Sequence, residues 1–134
     1  MHKAIKITRG LVGILGVSLV LLGVTFWTGH LGTLVPLHMG LGIAFVVGLW
    51  TLAILCWIAG GPAPLSVATL LWGLVIPAFG YAQYQLLPGP NHWVIRVLHL
   101  AIGVAGMGLA GALSKNALAR GAWQSHARAM ARGR

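Results

Sequence analysis

The sequence predicts an all-α fold: a polytopic membrane four-helix bundle with its N- and C-termini both on the cytoplasmic side. Three observations predict it. The chain has 134 residues, 58% of them hydrophobic, and no Asp or Glu, whereas a soluble domain carries about a quarter charged residues. Its nine Lys and Arg lie almost all at the two ends, and the nearly uncharged middle cannot be the surface of a water-soluble globule. Four apolar segments are each long enough to cross a bilayer, which takes about 20 helical residues at roughly 1.5 Å each.

The expected spans are 11–28, 34–58, 64–87 and 92–114. Turn chemistry separates them: Thr28-Gly29-His30, then Ala59-Gly60-Gly61-Pro62, then Leu87-Pro88-Gly89-Pro90-Asn91. Pro36 and Pro64 stand where a first helical turn begins, a position that tolerates the missing N–H. Pro77 falls inside the third span, where it removes a backbone hydrogen bond and predicts a kink. Residues 1–114 thus form the four-span unit, and 115–134 a basic cytoplasmic tail.

Orientation follows from charge. Lys3, Lys6 and Arg9 precede the first span, and Lys115, Arg120, Arg128, Arg132 and Arg134 follow the fourth. The positive-inside rule assigns both clusters to the cytoplasm, which an even number of spans allows. The loops at 28–35 and 87–92 are then external. The first apolar run is longer than a secretory h-region and no A-x-A-like cleavage site follows it, so it reads as an uncleaved helix. The expected location is a multi-pass position in a bacterial inner (cytoplasmic) membrane. Cys56 is the only cysteine, which rules out an intramolecular disulfide.

An internal repeat carries the chemistry. Leu37-His38-Met39-Gly40-Leu41-Gly42-Ile43-Ala44 matches Leu98-His99-Leu100-Ala101-Ile102-Gly103-Val104-Ala105 at the Leu, His, Gly and Ala positions. Upstream, His30 precedes His38 by eight residues, and His92 precedes His99 by seven. Helices one and two therefore read as a degenerate copy of helices three and four, a duplicated hairpin whose copies are related by an axis along the membrane normal. The plainer reading is coincidence in a chain rich in Leu, Gly and Ala. If both even-numbered helices line the axis, His38 and His99 face each other across it towards the external side.

A buried histidine in a membrane span needs a partner, and this chain offers no carboxylate. Metal coordination supplies one, because neutral imidazole is a common metal ligand and an axial ligand of haem iron. The plainer alternative is a hydrogen bond to backbone, to water or to the other histidine. Gly42 and Gly103 each follow their histidine by four residues, on the same helix face one turn deeper. They would leave bare backbone beside a flat macrocycle, and Gly106 would extend the stripe; the ordinary alternative is close helix packing, the role expected of Gly10, Gly13, Gly16, Gly108 and Gly111. Arg96 lies three residues before His99. Its guanidinium would meet haem propionates bidentately, or else reach lipid headgroups. A copper site from His38, Met39 and His99 with His30 and His92 as alternate ligands is the main rival, since copper accepts imidazole and thioether. A chlorophyll-type pigment is a further option.

The helix count and the two LHxxhG segments (h, a hydrophobic residue) resemble the small four-helix membrane b-type cytochromes. That resemblance implies haem b with His38 and His99 as axial ligands, and electron transfer as the function. Polar groups of the kind that line quinone sites are confined to Tyr81, Gln83, Tyr84 and Gln85, and the lack of carboxylates argues against proton-coupled quinone chemistry. The alternative outside cofactor binding is a structural or assembly subunit of a larger membrane complex, whereas electron transfer would imply a redox partner. Trp27, Trp57 and Trp93 fall near expected interfaces, as an aromatic belt would place them. No catalytic residues are assigned: Ser18, Ser66 and Ser114 have no acid–base constellation near them in sequence. The tail, with Leu118, Trp123 and Met130 among its cations, reads as a basic helix that meets anionic lipids, with no role for nucleic acid.

Overall fold

The structure, a computed structural model, describes residues 1–29 and 32–132, with the backbone alone for residues 124–129 and 132. It is all-α: α1 (His2–Phe26), α2 (Val35–Ile58), α3 (Ala63–Ala82) and α4 (His92–Arg132), with one 3-10 turn at Gly32–Leu34 ahead of α2. All four helices are long and apolar enough to cross a membrane. Each packs on its two neighbours in the order α1, α2, α3, α4 and back to α1, while α2 also meets α4 across the diagonal. Phe26, Ala82 and the starts of α2 and α4 therefore stand at one end of the bundle, the histidine end. The chain start, Ile58, Ala63 and the later part of α4 stand at the other, the basic end.

Local chemistry sets the boundaries. Pro36 and Pro64 occupy the first turns of α2 and α3. Between these helices Gly61 donates its N–H to the Cys56 carbonyl at 2.8 Å. A Cβ on Gly61 would lie 2.7 Å from that carbonyl oxygen, so the turn excludes a side chain. The helix α3 runs on through Pro77, whose missing N–H deprives the Gly73 carbonyl of its partner one turn earlier. It stops at Ala82, short of the apolar edge at Leu87. Gln85 closes a turn onto the Ala82 carbonyl, and Leu87 takes a left-handed backbone at φ 45°. Gln83, Tyr84 and Gln85 consequently follow α3 instead of lying on it.

At the basic end both helices outrun their apolar segments. The helix α1 starts at His2 and carries Lys3, Lys6 and Arg9, all exposed or nearly so. Through the tail, α4 continues without a break to Arg132. Its 41 residues measure about 60 Å, roughly twice a hydrocarbon core. A Cβ on Gly121 would collide with the His2 imidazole, so the start of α1 stands against α4 beyond its apolar stretch.

The core fills this end and the middle of the bundle. Ile5 and Val12 of α1, Phe45, Leu49, Leu52 and Cys56 of α2, and Ala110, Leu113 and Ala117 of α4 are buried together. Two indoles tie the helices: Trp50 Nε1 donates to the Leu70 carbonyl at 3.1 Å, and Trp72 Nε1 to the Ile102 carbonyl at 2.9 Å. Without water as an alternative partner, such donors hold the helices in register. Trp27, Trp57 and Trp93 are exposed on the outside, the first and last at the histidine end and the second at the basic end.

Candidate functional site: a facing histidine pair

The helix α2 reaches its first buried core residue, Phe45, two turns inside His38; α4 reaches buried Gly106 two turns inside His99. Above that level the diagonal contact between these helices is occupied by the two imidazoles. Their ring centroids are 6.3 Å apart and their planes 48° to each other. The Nδ1 atoms of both rings are buried and have no hydrogen-bond partner. A buried polar atom without a partner costs about 1–3 kcal/mol. Two of them at one point in a membrane bundle are a local loss of stability that a pair of leucines would avoid.

A metal bonded at Nδ1 would remove that loss, whereas one bonded at Nε2 would leave the Nδ1 atoms in need of an acceptor. Two imidazoles on opposite sides of one ion, bonded at about 2.0–2.1 Å per nitrogen, set their centroids roughly 6.3–6.5 Å apart. The observed 6.3 Å fits this span. A Cβ built on Gly42 or on Gly103 meets nothing within 4 Å among the described residues, as is also true at Gly10, Gly13, Gly108 and Gly111. The centroid spacing of the pair is thus that of two imidazoles sharing one metal ion.

The flanking helices contribute aromatic and glycine contacts that the sequence did not single out. Phe26 of α1 meets His38 edge-on, with centroids 5.5 Å apart and planes at 66°. Phe79 of α3 stacks on His99 at 6.0 Å and 15°. Gly23 of α1 and Gly80 of α3 stand beside the same two rings, at 3.8 Å and 3.2 Å from Cε1 to a built Cβ. Each histidine thus rests on a phenylalanine and a glycine of the helix before it. The signal in sequence was weak because the order differs, Gly23 preceding Phe26 by three residues but Phe79 preceding Gly80 directly.

Other candidates fall elsewhere. Arg96 is exposed on α4, one turn nearer the helix start than His99. The His92 Nδ1 lies 3.2 Å from the Leu86 carbonyl, where the ring closes the turn before α4. Met39 is exposed, and His30 lies outside the described residues. Among the described residues no three His, Cys, Asp or Glu side chains gather as a metal site. Gly106 does not extend the open stripe, because Ile76, Trp72 and Leu49 fill the space beside it. Of the glycines expected to let helices pack closely, Gly16 does so against Met107, whereas nothing among the described residues lies within 4 Å of a Cβ built on Gly10, Gly13, Gly108 or Gly111.

Comparison of the chain with protein-family models, with curated proteins and with solved structures finds no match, so the geometry carries the functional reading by itself.

Proposed function

We propose that this protein is a membrane electron carrier that binds one haem b between His38 and His99. The observation that supports the reading is the facing pair itself, 6.3 Å between ring centroids with both Nδ1 atoms buried and without a partner. Bound haem supplies a one-electron couple. Two protein ligands leave the iron no open position, which suits electron transfer over substrate chemistry. His38 and His99 would hold the iron, Gly42 and Gly103 would present bare backbone beside the ring, and Arg96 would offer a guanidinium to the propionates. A copper site has less behind it, since no third His, Cys, Asp or Glu joins the pair among the described residues and Met39 is exposed. A chlorophyll-type pigment needs one axial histidine per ring and leaves the second imidazole unexplained. A purely structural subunit leaves both unexplained.

The positive-inside rule places the basic end in the cytoplasm and the haem near the external face. Lys3, Lys6, Lys115 and Arg120 then form an exposed collar facing anionic lipid headgroups, while the duplicated hairpin accounts for the matching histidines. Reporter fusions after residues 30 and 90 should read external and those after 61 and 120 cytoplasmic; an external residue 61 would overturn this orientation.

Absorption spectra of the purified protein, oxidised and reduced, test the cofactor. Protein made with ample haem should show a Soret band and the sharp low-spin bands of bis-histidine ligation. Either His38→Ala or His99→Ala should abolish the low-spin form, and His126→Ala should leave it intact. A colourless wild-type protein would refute the proposal.

A further inference from the structure

The two imidazoles occupy corresponding places in the repeat, yet they are not held alike. His99 lies two turns inside α4, stacked on Phe79 with planes only 15° apart. Its edge also stands so close to α3 that a Cβ on the adjacent Gly80 would come within 3.2 Å of Cε1 and 4.0 Å of Nδ1. Two consecutive residues of α3 thereby restrict this ring in plane and in depth. His38 lies in the first turn of α2, after a Leu34 N-cap that makes no side-chain hydrogen bond. Phe26 meets its ring edge-on, and Gly23 makes an ordinary 3.8 Å approach. First turns lack part of the hydrogen bonding that holds helix interiors, so they open more readily.

We propose that His99 is the fixed ligand and His38 the displaceable one, with Phe79 and Gly80 as the positioning residues that make the difference. This rests on the haem reading above. A side chain stacked on a neighbour and confined by close backbone keeps its geometry better than one with an edge contact and a looser approach. The His38 side is therefore the one from which a small diatomic probe such as carbon monoxide would reach a bound iron.

The test compares haem-loaded wild type with His38→Ala, His99→Ala, Gly80→Ala and, as a control outside the site, Gly13→Ala. His38→Ala should keep its haem in a five-coordinate, high-spin form that takes up carbon monoxide, whereas His99→Ala should lose it. Supporting shells around a metal ligand commonly contribute about 10–100-fold in affinity. Gly80→Ala should weaken haem binding by about tenfold or more on that scale and shift the low-spin electron paramagnetic g-values, which report ring orientation. Gly13→Ala, far from both rings with nothing among the described residues within 4 Å of the added Cβ, should change neither. If His99→Ala fails to fold, judged by the gel-filtration profile of the haem-free protein, Gly80→Ala and Phe79→Leu decide the matter through the g-values. Equal haem loss from both histidine variants, retention by His99→Ala alone, or unchanged g-values in Gly80→Ala would overturn the asymmetry while leaving the haem reading in place. A wild-type protein without haem would overturn both.

Discussion

At the basic end Ile5, Leu52, Ala53, Cys56, Leu113 and Ala117 are completely buried, and the helices close on one another around them. At the histidine end the same four helices bury almost nothing. Residues 17–26 of α1, 35–44 of α2 and 74–82 of α3 contain no fully buried side chain, and residues 92–105 of α4 contain only Ile95. Instead they hold two imidazoles with unpartnered Nδ1 atoms and two glycines with open space beside them. Lipid gives helices no hydrophobic reason to associate, so packing and polar contacts must hold a membrane bundle together. One half has that packing within its own chain. The other half has little of it, and its central contact is the pair of imidazoles.

The contrast can be broken by substitution. In the packed half Leu52→Ala should cost about 2–5 kcal/mol, because a cavity forms where every neighbour was in contact. At the histidine end Gly103→Val should leave the haem-free protein nearly as stable as wild type, since a side chain there enters open space, yet it should sharply reduce haem uptake. Thermal unfolding in one detergent, with and without haem, measures both. If Gly103→Val destabilises the haem-free protein as much as Leu52→Ala does, the histidine end is an ordinary packed interface.

A smaller effect sharpens the comparison. With no acidic side chain in the protein, the partner proposed for Arg96 is a propionate. Arg96→Leu should lower haem affinity and also the midpoint potential, because a positive charge near the iron favours the reduced state. Arg96→Lys should restore part of the potential but not the two-pronged geometry. Identical midpoints in a redox titration of the three proteins would assign Arg96 to the lipid headgroups.

The spans were legible in the sequence because a chain without Asp or Glu, charged almost only at its ends, has few ways to be solvated. His38 and His99 were legible because the flanking Leu, Gly and Ala recur with them. The end of α3 was not, since Leu86 and Leu87 prolong the apolar run beyond the point where backbone geometry turns the chain. Hydropathy records side chains, whereas a helix ends where its hydrogen bonds do. Gly106 was misread for a related reason: helical spacing gives the face of a residue but not whether a neighbour fills it, and here Trp72 and Ile76 do. The contacts of Phe26, Phe79 and Gly80 arise between helices, and no local pattern encodes them.

The central claim, that His38 and His99 share one iron within a single chain, is tested most directly by titrating haem into the haem-free protein in detergent while following the Soret band and the spin state. The expected result is saturation at one haem per chain with a low-spin spectrum throughout. Saturation at one haem per two chains, a high-spin product, or no Soret shift would contradict it.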